Sequence, residues 1–168
     1  GDLTVDAAND RLVSIVNNSH RSARIIDAAA PSGIQEVIAD LRCDPNNARG
    51  NLRTRMATDA TANFYHGTAA VGSANEVELY RVDAGSYINI ASADRGLPSV
   101  DGTRRVRVRA IGSGAAVALE LQVEDTRPVI FSDTAATRKT SGPSGCGVFN
   151  DVVDNIGWVD NLSIDDLA

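Results

Sequence analysis

Tyr80 and Tyr87 flank Asp83-Ala84-Gly85, a tripeptide with the composition of a hairpin turn. With the turn centred on Ala84-Gly85, Leu79 falls opposite Ile90 on one face. Glu78, Tyr80, Val82, Tyr87 and Asn89 share the other face, and the two tyrosines are diagonal neighbours. A tyrosine pair beside an amide suits a sugar: rings stack on pyranose C–H faces, and the hydroxyls and amide pair with sugar hydroxyls. Tyr65, between Phe64 and His66, can join that face from a neighbouring strand. Tyr65, Tyr80, Tyr87 and Asn89 are therefore the candidate ligand-binding residues. The same rings can equally fill gaps at a core edge, as cross-strand aromatic pairs do.

Other constellations have plainer accounts. Arg105, Arg107 and Arg109 alternate like an anion-binding stripe, with Val106 and Val108 on the opposite face. Pairing across Gly112-Ser113-Gly114 sets Val108 against Leu119 and Val106 against Leu121 inside. Arg107 then meets Glu120 outside, and Arg105 falls opposite Gln122 and close to Glu124. Facing opposite charges contribute a few tenths of a kcal/mol to about 1 kcal/mol, so a charge-paired solvent face accounts for the run. Cys43 and Cys146 form either one disulfide, closing a loop of roughly 100 residues, or two buried thiols packing as small hydrophobes. Neither has the spacing of a zinc site or redox pair. The Gly-rich segment 142–147 lacks the helix, lysine and Ser/Thr of a phosphate loop and reads as a turn.

Short strands must position these residues. Residues 3–16 read as two strands around Ala8-Asn9-Asp10. Asn17 to His20 is loop, and Ala23 to Ala30 fits either a strand or a helical turn. Gln35 to Cys43 alternates, with Val37, Ala39 and Leu41 on one face, and ends at the turn-forming Asp44-Pro45-Asn46-Asn47. Further strands are expected at Leu52–Met56, Thr61–Tyr65, 76–82, 86–91, 104–111 and 116–124. Gly67 to Asn75 and Asp94 to Gly102 are loops. After Glu124 come a strand, a loop carrying Ser132-Asp133-Thr134, the Gly-rich turn, a short strand and a last strand through Trp158. No stretch holds a long 3.6-residue period, so the expected class is an all-β sandwich of two antiparallel sheets. No repeat of solenoid or propeller length is present.

The 168 residues fit one domain, 1–168, with chain enough for a substantial core. A net charge of -6 disfavours nucleic acid and anionic membranes as partners. No run of about 18 apolar residues exists to span a bilayer. The chain opens at Gly1-Asp2 with no basic, apolar leader, and a domain excised from a larger protein is expected. One Trp, three Tyr and three Phe are few for a stacking platform, and Trp158 sits in an apolar terminal strand where it is expected to be buried.

Several runs, in order, resemble concanavalin A-like jelly rolls, the laminin-G-like group included. They are Leu52-Arg53-Thr54-Arg55, Asn63-Phe64-Tyr65 and the segment from Val77 to Ser86. Arg105-Val106-Arg107-Val108 follows with Leu119-Glu120-Leu121, then Asp133-Thr134 and Thr140-Ser141-Gly142. Gly145 to Phe149 and Trp158 to Ile164 complete the order. The resemblance covers roughly residues 35–165 and implies two face-to-face antiparallel sheets, the last strand returning beside the N-terminal part. It implies glycan recognition by a non-catalytic module of an extracellular, cell-surface or virion-attached protein. Calcium binds some relatives through six to eight oxygens; Asp160, with Asp165 and Asp166 after it, is the metal candidate here. Asp160 and Asn161 can instead bond local backbone to end the strand.

Two other function classes stay open. One is a structural or adhesion domain of a virion, tail fibre or cell surface, working as a homo-oligomer or attached to a larger assembly. The other is an enzyme. The glucanase branch of this fold carries two Glu with an Asp between them at alternate positions, whereas Glu76-Val77-Glu78 offers only two carboxylates. Polysaccharide lyases of the fold use a His, a Tyr and an Arg; this chain has His66, Tyr80 and Arg53 without the family's surrounding motifs.

Overall fold

Alternating apolar and polar positions, interrupted every few residues by Gly, Asn or Asp, produce strands and no helix among the described residues. The computed structural model describes residues 4–7, 11–13, 19–25, 33–43, 49–56, 62–69, 77–97, 102–150 and 157–167. The strands are β1 (Thr4–Asp6), β2 (Arg11–Val13), β3 (Ser19–Ile25), β4 (Ile34–Cys43), β5 (Arg49–Thr54), β6 (Phe64–Ala69) and β7 (Val77–Asp83). They continue as β8 (Ser86–Ala93), β9 (Gly102–Ile111), β10 (Val117–Val123), β11 (Val129–Asp133), β12 (Ser144–Asn150) and β13 (Trp158–Leu167).

All pairings are antiparallel. One sheet runs β11-β10-β9-β4-β13-β2-β1 and the other β3-β12-β5-β6-β7-β8. The single pair Cys43↔Arg49 joins them where β4 passes into β5. Val37, Ala39, Leu41, Val106, Val108, Leu119 and Leu121 of the first sheet pack against Leu52, Tyr65, Leu79, Cys146 and Val148 of the second. The two sheets approach closely at Gly67, where a Cβ would lie 2.4 Å from Val108 Cγ2 and 3.0 Å from a Leu121 methyl. Only glycine admits that approach of the two sheets.

The expected alternation holds in β4, β9 and β10, and the two N-terminal strands are present. Several boundaries differ. Ser19 and His20 belong to β3, and Gly67 to Ala69 to β6. Ser132 and Asp133 end β11, and Ser144 to Gly147 form part of β12, so those glycines lie in a strand flanked by partners on both edges. The β9–β10 register is shifted by two residues from the expected one, with Val108↔Leu121, Arg109↔Glu120 and Arg107↔Gln122. The cause is a longer turn, which runs through Ala116. Both faces are preserved because the shift is even. The arginines also find partners in β4: Arg105 Nη1 bonds Asp40 Oδ1 at 3.1 Å, and Arg109 bonds Glu36.

The hairpin of β7 and β8 carries a bulge. Val82↔Tyr87, Arg81↔Ile88 and Tyr80↔Asn89 are direct partners, but Leu79 then pairs with Ala91 rather than Ile90. The extra residue, Ile90, reverses the facing of everything beyond it. Tyr87 and Asn89 point outward, while Ala91 and Ala93 pack on the core. Trp158 is half-buried instead of enclosed, with the Arg11 guanidinium 4.0 Å from its ring centroid.

Candidate functional site

The outer face of the second sheet takes alternate positions from four strands. β5 supplies Asn51 and Arg53, β6 supplies Phe64, His66 and Thr68, β7 supplies Glu78, Tyr80 and Val82, and β8 supplies Tyr87 and Asn89. Register sets Arg53, His66, Tyr80 and Asn89 in one row across the strands. In β12 the row continues to Gly145, which pairs with Arg53 and on its other edge with Arg24 of β3, while Gly147 pairs with Asn51.

The rings of the row are in mutual contact. His66 meets Tyr80 and Tyr87 edge-on at centroid separations of 5.7 and 5.4 Å, and Tyr80 meets Tyr87 at 6.0 Å. Phe64 meets Tyr87 edge-on at 6.2 Å. At one end Phe64 also packs with Met56 and Val82 in a small apolar cluster separate from the main core. Edge-to-face pairs contribute about 0.5–1.5 kcal/mol beyond their buried area, so these rings hold one another in place.

Arg53 and Asn51, on the same face, are 3% and 1% exposed. The guanidinium carbon sits 4.3 Å over the Phe64 ring, and Nε donates to Asn51 Oδ1 at 3.0 Å. No carboxylate pairs with it among the described residues. Burial lowers the Arg53 pKa from its ordinary value, against the opposing influence of Tyr87 and Cys146. Two donors, Arg53 Nη2 and Asn51 Nδ2, are buried without an acceptor. Each such group costs about 1–3 kcal/mol, more where charged. A face that tolerates two of them side by side is poised for acceptors brought from outside.

The expected site residues are divided by this geometry. Tyr80, Tyr87 and Asn89 share the outer face, with Tyr80 and Asn89 directly opposed. Tyr65 does not join them. It points into the sandwich, fully buried, donating its hydroxyl to Asp133 Oδ2 at 2.7 Å and accepting Lys139 N at 3.0 Å. Successive strand residues point to opposite faces, so Phe64 and His66 take the outer positions on either side of it. Arg53, His66 and Tyr80, the three residue types used by lyases of this fold, are neighbours in the row. Asn51 escaped the sequence reading; the signal was its alternation with Arg53 beside Gly145 and Gly147.

Tyr65 belongs to a second polar group at the sheet end. Arg81 bridges Asp133 and Asp83 at 3.0 Å each, and Thr137 donates to Asp83 at 3.1 Å. Lys139 Nζ reaches Asp83 and also Asn63 Oδ1, the latter at 3.3 Å. Burial, with the hydrogen bond to Asp133, raises the Tyr65 pKa well above the usual range. Burial opposes ionisation of Asp83, but the Lys139 and Arg81 hydrogen bonds outweigh it and hold its pKa low. This group has its donors and acceptors matched and ties the 134–140 loop to the sandwich.

Asp160 lies 3.9 Å from Arg11, and its Oδ1 accepts Asn161 N at 2.7 Å. Asn161, at φ 49°, donates to Asp40 across the β13 irregularity. Its contacts are therefore an ion pair and local strand closure. No group of three or more His, Cys, Asp or Glu suited to a metal gathers among the described residues. Asp165 accepts from Ser163, and the Asp166 side chain and Glu76 lie outside the described residues. Cys146 is a free buried thiol, its pKa raised to about 11 by burial. Cys146 pairs with Leu52 on one edge of β5, while Cys43 pairs with Arg49 on the other. A disulfide needs Cα atoms within about 7 Å, and the bridge is not formed.

No family model matches the sequence, and no curated protein sequence does. Solved structures match in shape. The carbohydrate recognition domain of Emp46p, in its metal-free form, superposes with a TM-score of 0.62 at 12% identity, covering 94% of this chain and 83% of that one. The Lotus tetragonolobus seed lectin gives 0.53 at 8%, covering 100% and 92%. The xylan β-1,4-xylosidase from Bacillus halodurans C-125 gives 0.53 at 11%, covering 93% of this chain; the chain spans 33% of that enzyme. The fold shared with these structures is a jelly roll of two antiparallel sheets.

Proposed function

We propose that the chain is a carbohydrate-binding domain whose site is the Arg53–His66–Tyr80–Asn89 row with Asn51 and Tyr87. The observation that carries this reading is the pair of buried donors without acceptors on the same sheet face as a cluster of aromatic rings. A sugar offers both complements: hydroxyl oxygens for the donors and C–H faces for the rings. The lectin-like fold supports the same reading, as does the absence of any partner for these donors within the described chain. Such a module works on an extracellular, cell-surface or virion-borne protein.

A polysaccharide screen with and without calcium tests the proposal. Binding of one glycan class is expected, with the Tyr80→Ala/Tyr87→Ala double variant at least about 100-fold weaker, tenfold for each ring. The variant must retain the wild-type circular dichroism spectrum. Unchanged affinity in a folded double variant removes the site assignment.

The row favours a second reading. Arg53, His66 and Tyr80 side by side are the groups a polysaccharide lyase needs to hold a charged sugar and move a proton. Appearance of unsaturated ends in the ultraviolet absorbance, abolished by His66→Ala, distinguishes lyase from lectin.

A further inference from the structure

We infer that the glycan carries an anionic group, a carboxylate or a sulfate, that seats between Arg53 Nη2 and Asn51 Nδ2. The inference rests on the carbohydrate reading of the same site and narrows its ligand class.

Both orphaned atoms are donors, and one belongs to a cation. A neutral sugar hydroxyl supplies an acceptor but leaves the buried positive charge uncompensated. A carboxylate or sulfate supplies two acceptor oxygens and the charge together, and guanidinium forks match planar or tetrahedral oxyanions. The described residues offer Arg53 no such partner. No ion pair joins it to Glu78 of the same face, whereas three other arginines of the sandwich have carboxylates or backbone carbonyls. Arg81 has Asp83 and Asp133, Arg109 has Glu36, and Arg55 has backbone oxygens. Gly145 and Gly147 beside the donors bring no side chain to that flank. Tyr87, packed edge-on against Phe64 and His66, is 40% exposed and so open to an incoming ligand. The net charge of -6 opposes acidic ligands at long range, so recognition has to come from this short-range pair.

Matched probes decide the matter. Oligogalacturonate is compared with its carboxyl-reduced form, and chondroitin sulfate oligosaccharide with its desulfated form, by calorimetry. The expected result is binding to one acidic probe at least about tenfold tighter than to its neutral counterpart. Arg53→Gln is expected to abolish that preference and Arg53→Lys to restore part of it. Equal binding of acidic and neutral members, or an unchanged preference in folded Arg53→Gln, overturns the inference and leaves the carbohydrate reading standing. No binding to any glycan in the wider screen overturns both. Should Arg53→Gln fail to fold, the guanidinium N–H resonances of the wild-type chain are followed during titration. Movement of the Arg53 signals with the acidic probe alone supports the seat; movement with neither, or equally with both, overturns it.

Discussion

Arg53 and Arg55 stand two residues apart, both almost wholly buried, and the sandwich treats them in opposite ways. Arg55 leaves β5 at φ 54° and donates to the carbonyls of Gly33, Ala110, Gly112, Lys139 and Thr140. It gathers the start of β4, the end of β9 and the 139–140 loop onto one cation. Arg53 stays in the strand, faces outward and has one amide oxygen, one ring and a donor with nothing to bond. The first is a buried charge dissolved in backbone oxygen; the second is a buried charge held in reserve. Burial alone therefore does not separate these two arginines, and the tally of acceptors does.

The difference is open to attack, most forcefully at Arg55. Arg55→Ala strips five carbonyls of their donor and is expected to lower unfolding stability by about 3 kcal/mol or more, read from urea melts. Tyr65→Phe comes next, at about 1–3 kcal/mol, because Asp133 is buried and loses a donor that the phenyl ring cannot supply. Arg53→Met is the counterpart: stability within about 1 kcal/mol of wild type, or higher, since a similar-sized apolar side chain replaces an unpaired charge. A loss as large as that of Arg55→Ala would erase the contrast between the two.

Smaller effects sharpen the picture of the matched group. The folded pKa of Asp83 lies below its unfolded value near about 3.9, so its contribution is full above that pH and fades as pH falls through the folded value. Urea midpoints of Asp83→Asn are expected to fall less steeply than wild type between roughly pH 5 and pH 2. Cys146, in a Cys43→Ser background, is expected to resist thiol reagents at pH 8 in the native state and to react fully in denaturant. Native labelling would mean that the core beside Arg53 opens readily.

The two-sheet plan was legible because β4, β9 and β10 alternate cleanly between Val, Leu or Ala and charged residues. Tyr80, Tyr87 and Asn89 were legible as one face for the same reason. Tyr65 was misplaced because its two neighbours, Phe64 and His66, are equally ring-bearing, and composition does not reveal which parity faces the core. The pairing of Leu79 was missed because a bulge leaves no mark in alternation when the residues beyond it are as small as Ala91 and Ala93. Arg53 and Asn51 as a donor pair depend on what is lacking around them, and a missing acceptor has no sequence signature.

The bulge at Ile90 has a wider consequence. One strand is divided into two stretches: Tyr87 and Asn89 of the first face outward, and Ile90, Ala91 and Ala93 of the second pack on the core. Substitutions in the first stretch can therefore accumulate without touching the core. The chemistry of the outer face and the packing of the core are thus separable within one strand, and the boundary between them is a single residue, Ile90.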